Sequence, residues 1–474
     1  MRTFLAALLL IVGLLANAQP YQKQNINLLG LIAPNKDTIK SPVGNKYSGC
    51  WGWYQASKNK EYAISGASNG TYFIDVTAPT SPSVSAFVPG KRGCTWREMK
   101  TYQNYCYIVS DDGSPNKFTI VDMKYLPDSV HVVHNGTSYF ERGHTIWIDN
   151  SKMYVGATTY TSGSSAMTVW SLATPTAPYL LRRVEQDIAP PVFSYVHDMF
   201  ARNDTVYAST GWQGLHILKF NNSDTSFSEL GSYVGYPNSG YNHSSSLTQN
   251  GKYLLFCDEV PAELPMNLVN VQNPGNFQPV NSFRPASRTT SHNPLIIGNK
   301  WAVVSCYQDG LWIFDISNPP LVTQLGFFDT YPQGGANIGS YPDNTYSGNW
   351  GAYPYLPSGI IIANDMQNGL FVLDPSAAYS NTLTNPVGLL NYAEKSPALN
   401  LFPNPAANII SLDYSGTQHS IIEIKSVYGQ LIYRNEFEGH VIEKVDVRNF
   451  QNGTYLVTVS ENGQHTIGKL IILH

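Results

Sequence analysis

Seven short phrases recur along this chain: SGCWGW, RGCTWR, RGHTIW, YVHDMF, YNHSSS, TSHNPL and SGNWGA. Aligned, they place Cys50, Cys94, His144, His197, His243, His292 and Asn349 at one shared position. Imidazole titrates near neutral pH and is the commonest protein metal ligand. A cluster of His144, His197, His243 and His292 would therefore suit a divalent metal. Nitrogen donors alone favour zinc, copper, nickel or iron, and added carboxylates would suit manganese or calcium. Carboxylates recur beside the phrases: Glu98 follows the second, and Asp111, Asp258 and Asp365 each end a later strand. These four acids are expected on the same rim as the histidines. The same residues admit two further readings. The rings could bond neighbouring backbone or channel water, and Cys50 and Cys94 could form a disulfide. The count of five Cys leaves at least one thiol over. No G-x-S-x-G elbow, H-E-x-x-H helix or glycine-rich phosphate loop occurs. Any chemistry is thus expected to be metal-assisted rather than covalent.

The elements that must position these residues are themselves repeated. GTYFIDVTAPTSP (70–82), GLWIFDISNPP (310–320) and GLFVLDPS (369–376) are close copies, with weaker ones at KFTIVDM, MTVWSLATPTAP, LHILKF and MNLVNVQNP. The copies stand roughly 50 residues apart, which is the span of a four-stranded propeller blade. Seven such units predict an all-β, seven-bladed β-propeller with the seven phrases on the innermost strands, in a ring about the channel. The Asp that ends each FID-type strand is expected to bond the backbone of the following turn. The seventh unit lacks a fourth strand. NLLGLIAP (27–34) resembles the fourth strand TQLGFFDT (323–330), so the N-terminal segment is expected to close the last blade and leave no open sheet edge.

Charged residues make up 13% of the chain and the formal net charge is −4, which excludes the basic face of a nucleic-acid binder. Residues 1–18 read as a signal peptide: Arg2, an apolar run from Leu5 to Ala16, and Ala16-Asn17-Ala18 at the cleavage site. No later apolar run reaches the ~18 residues of a membrane helix. The expected organisation is a propeller over 19–390, a linker over 391–398 and a small β-sandwich over 399–474. The last is read from period-2 alternation broken by Gly-Gln and Asn-Gly turns.

The C-terminal segment resembles the sorting domain of cargo carried by the type IX secretion system. The matching residues are LFPNPAAN (401–408), SVYGQ (426–430), VDVRNFQNGTYLVTV (445–459) and GKLIIL, with Pro403, Asn404, Pro405, Gly453, Tyr455 and Lys469 as motif residues. The resemblance implies passage through the periplasm and across the outer membrane by that machinery, ending secreted or at the cell surface. The propeller resembles the choice-of-anchor B family of LVIVD-type repeats through GLWIFDISNP, YVHDMFARNDTVY and SHNPLIIGNKWAVVS. Blades three to five depart from that repeat at Trp170, Lys219 and Asn270. The leading functional expectation is a surface binding module for an extracellular polymer or protein. The alternative is a metal-dependent polysaccharide lyase or hydrolase using the channel histidines, with Arg97 and Arg142 as candidate partners for an acidic sugar. Such a use of channel histidines rests on resemblance of architecture to some seven-bladed lyases.

Overall fold

The computed structural model describes residues 21–113, 116–190, 192–286, 289–334, 347–380, 399–426, 430–461 and 464–474. The expected signal peptide and linker lie outside them. The chain divides into two compact units, Met1–Leu389 and Leu390–His474.

The first unit is a seven-bladed β-propeller. Seven antiparallel sheets follow one another, with their strands in chain order except where N-terminal residues add the outermost strand of the sixth and seventh. Their first strands are Tyr47–Gln55, Arg97–Tyr102, Ile146–Asp149, Asp198–Arg202, Asn242–Leu247, Asn293–Ile297 and Asn349–Tyr353. Each first strand contacts the first strand of the next blade, and the seventh contacts the first, so the ring closes about a central channel. Blades pack face to face through alternate side chains. Between blades five and six, for example, Leu255, Leu268 and Phe283 meet Val304, Trp312 and Phe314. Both faces of a middle strand are thereby buried. This is why YCYIVS and LWIFD read as unbroken apolar runs rather than alternating ones.

The closing strand is where the repeat predicts it. Asn27–Ile32 pairs antiparallel with Gly369–Asp374, from Asn27 opposite Asp374 to Ile32 opposite Leu370. The chain also does something the repeat does not announce: Lys23–Gln24 adds to the outer edge of blade six, against Phe327 and Phe328. Ile26, between the two strands, is buried among Leu311, Ile313, Phe371 and Leu373 of blades six and seven. The strand-ending acids cap turns as expected. Asp75, Asp122, Asp315 and Asp374 each accept the backbone N–H two residues on, at 2.8–3.0 Å. Asn270 does the same.

The second unit is one five-stranded sheet folded back on itself. The long strand Ile409–Ser426 pairs first with Leu399–Phe402 and then with Gly453–Glu461, while Leu431–Asp446 runs along its other edge. The last strand, Gln464–Ile472, contacts Leu399–Phe402, and Ala406 bridges Ile472. A sandwich results, with Ile410, Leu412, Tyr414, Ile422, Ile424, Val457, Val459 and Leu470 inside. Asn404 fastens its open end. Its amide donates to the Lys469 carbonyl (2.7 Å) and its oxygen accepts from the Ile471 N–H (2.9 Å). Tyr455 donates to the Gln451 carbonyl. Lys469 is exposed, and Gly453 has a φ of +154° in open space.

Candidate functional site at the propeller channel

Four histidines from four consecutive blades stand side by side in the channel. Ring centroids are 4.3 Å apart for His144–His197, 4.2 Å for His197–His243 and 4.3 Å for His243–His292. Three repeat one hydrogen bond. Nδ1 of His197 faces the carbonyl of His243 (3.1 Å), Nδ1 of His243 that of His292 (3.1 Å), and Nδ1 of His292 that of Trp350 (2.6 Å). A carbonyl oxygen only accepts, so each of these nitrogens carries the hydrogen. Burial, then the neighbouring imidazoles, hold His197 and His292 well below the ordinary histidine value. His243 is lowered by burial and partly restored by Glu259. The three rings are therefore neutral at pH 7, each with its Nε2 lone pair left over.

His144 differs. Burial pushes it down, but the Asp111 carboxylate against its Nδ1 outweighs that and holds it above the ordinary value. Its Nε2 lies 2.8 Å from Nε2 of His197. An imidazolium at His144 satisfies both contacts, donating to Asp111 and to the lone pair of His197.

The ring differs from the aligned phrases at three of seven places. Trp350, not Asn349, receives the bond from His292. Asn349 is buried and leans on the Asn364 carbonyl. In blade two the position belongs to Trp96, stacked on Trp350 at 4.8 Å, and in blade one to Gly49. A β-bulge interrupts the start of the inner strand in blades one, five and seven, between Tyr47 and Cys50, Asn242 and Ser244, and Asn349 and Gly351. Matched at the bulge, Trp350 rather than Asn349 is the counterpart of His243. A bulge inserts a residue without changing the phrase around it. Gly49 is required where it stands, because a Cβ there would meet the Arg97 carbonyl at 2.4 Å and Glu98 Oε1 at 2.7 Å.

The cysteines are accordingly not partners. All five are free and buried. Cys50 turns toward blade seven, its sulfur 3.9 Å from the Ile362 carbonyl, while the Cys94 sulfur sits 3.2 Å from the Trp96 carbonyl. The two sulfurs have different neighbours, and the disulfide expected as one reading does not form.

Of the four acids, two reach the histidines. Asp111 pairs with His144, and Glu98 lines the same cavity while accepting the Trp350 indole N–H (2.8 Å). Burial raises the Glu98 carboxyl. Asp258 and Asp365 serve the loops instead. Asp258 accepts from Tyr236 and Asn242, and Asp365 from Thr330 and the Gln367 and Asn368 amides. Arg97 and Arg142 also face away, to the Ala67 and Lys91 carbonyls and the Asp111 carbonyl respectively.

Three residues missing from the sequence-based set belong here. Glu259 directly follows Asp258, and its Oε2 lies 3.7 Å from His243 Nε2 while Tyr307 donates to its Oε1. Asp198 directly follows His197, and burial lifts its carboxyl to about 7. Lys100 places its ammonium 4.1 Å above the Trp51 ring. Lys100 was legible in principle, since period 2 puts Trp96, Glu98 and Lys100 on one face of the strand. Lys100, Asp198, Glu98 and the four histidines border a cavity of about 70 Å³, and Glu259 lies outside that lining.

Residues 400–473 match the family described as the secretion system C-terminal sorting domain. The chain thus carries a type IX sorting tail and is exported to the cell surface or beyond. A stretch of 73 residues is 27% identical to an endo-acting ulvan lyase of Formosa agariphila, covering 15% of this chain and 14% of that enzyme. Among solved structures, PorZ of Porphyromonas gingivalis, titled an essential surface component of the type-IX secretion system, is similar at TM-score 0.37 and 10% identity. That match covers 87% of this chain and 64% of PorZ. The β-propeller domain of Cps50 (Swd1) from Myceliophteria thermophila is similar at TM-score 0.48 and 12% identity, over 73% of this chain and 98% of that one. The chain spans about one seventh of the lyase and under two thirds of PorZ. No helix among the described residues is long and apolar enough to cross a membrane.

Proposed function

We propose that the protein is a surface-displayed binding module, a propeller of the choice-of-anchor B kind delivered by its sorting tail, that engages an extracellular polymer or protein across the face above the histidines. The observation that carries this reading is the aromatic rim on that face. Trp212 is 63% exposed on a turn held by Gly211 and Gly214, edge-on to Tyr241 at 5.6 Å. Tyr241 in turn packs on His197 at 5.3 Å. Gly211 keeps the turn against Tyr241, where a Cβ would come within 2.6 Å. A rigid, exposed indole beside buried aromatics is the usual anchor of a binding surface. The channel favours this reading over turnover of a polymer at the histidines. His292 is fully buried, and about 70 Å³ is far below the roughly 300–1,000 Å³ of pockets that enclose a drug-sized ligand.

The test is an array of extracellular polysaccharides and surface proteins probed with the mature chain, with and without chelator. Binding that survives chelator and falls about tenfold or more in Trp212→Ala supports the module. Chelator-sensitive depolymerisation of any arrayed glycan, or an array with no ligand, counts against it.

A further inference from the structure

We propose that Nε2 of His197, Nε2 of His243 and the Glu259 carboxylate hold one zinc-class divalent ion, a metal that ties blades four and five together at the channel mouth. The proposal is separate from the binding-module reading and survives its failure. One donor atom from each of the three residues lies within 4.8 Å of the other two. Two zinc bonds of about 2.0–2.2 Å meeting at a tetrahedral angle put their donors about 3.4 Å apart, close to the 3.7 Å between His243 Nε2 and Glu259 Oε2.

The outer shell is already that of a metal site. Ligating histidines characteristically donate their other ring N–H to a carbonyl, which fixes the tautomer and aims the lone pair. His197 and His243 do this through the backbone of the next blade. Tyr307 holds Glu259 Oε1 and leaves Oε2 toward His243. A fourth donor stands ready: His292 Nε2 is buried, has no hydrogen-bond partner and borders the same cavity. The ion replaces the hydrogen bond that His197 Nε2 takes from His144. Imidazole with one carboxylate favours zinc over calcium, which takes six to eight oxygens.

The experiment uses the full mature chain without a histidine tag, stripped with chelator and titrated with Zn²⁺ and, for its spectrum, Co²⁺. One equivalent should bind, with visible cobalt bands of tetrahedral intensity. Glu259→Gln, which preserves the Tyr307 contact and the fold, should weaken binding at least tenfold, and His243→Ala at least a hundredfold. Circular dichroism checks that both variants are folded. His440→Ala, on the exposed surface of the C-terminal unit, should change nothing. No binding, an octahedral cobalt spectrum, or affinity that follows His440 and ignores Glu259 would each overturn the proposal.

Discussion

At the residue scale, burial of ionisable groups sets the pH response. Asp329 is fully buried at the end of the fourth strand of blade six, accepting the Tyr331 N–H at 2.8 Å. Burial raises its carboxyl to about 6. A folded-state value above the unfolded one means that the native chain binds this proton more tightly. Its contribution is complete below about pH 4 and is lost as pH rises through 6. Asp329→Asn keeps an acceptor for Tyr331 and has no proton to lose. Relative to the variant, the natural chain should lose on the order of 2–3 kcal/mol between pH 4 and 7.5. Urea midpoints at the two pH values measure this. Asp198, raised to about 7 by burial, tilts both curves in the same direction and cancels in the difference. Asp365, raised to about 7 chiefly by burial and in smaller part by the Asp329 carboxylate, cancels only in part because the variant removes that charge.

At the element scale, the decisive piece is the N-terminal strand. Ile26 is 1% exposed between blades six and seven, and Gly30 lies so close to blade one that a Cβ would meet the Pro79 carbonyl at 2.5 Å. Ile26→Ala should cost about 2–5 kcal/mol, read from chemical denaturation, because a cavity opens where two blades and the closing strand meet. A cost under about 1 kcal/mol would mean that the seam is loosely packed. This strand was legible in the sequence because it imitates the other fourth strands and the last unit lacks one. The blade count and the turn acids were legible for the same reason, since repetition multiplies a weak local signal. The ring was legible where an imidazole marks it. His144, His197, His243 and His292 came through, His243 despite a bulge between Asn242 and Ser244, whereas Gly49, Trp96 and Trp350 carry no such mark and stand in the places aligned to Cys50, Cys94 and Asn349. Hydrogen-bond register leaves no trace in residue type. Glu259 was overlooked for a similar reason, since its neighbour Asp258 fits the repeat better and yet bonds to Tyr236.

At the scale of the whole molecule, the chain has two separate cores. The C-terminal unit buries Tyr414, Ile422, Val457 and Leu470 among its own strands. Calorimetry of the full chain should therefore resolve two transitions, with Ile26→Ala lowering only the larger. A single transition that shifts as a whole would show the two units to be energetically coupled. The sorting tail fixes where the propeller is delivered.

The clasp between Asn27 and Asp374 also sets a timetable. Every other blade can form from strands that emerge one after another, but blade seven cannot finish until the far end of the propeller has arrived to meet its beginning. Closing so long a loop is an entropic cost met late, and contacts of such sequence separation form slowly. Until then Gly369–Asp374 keeps an open edge, the kind that recruits other chains. The seventh blade is therefore the one that completes last, when the two ends of the propeller join.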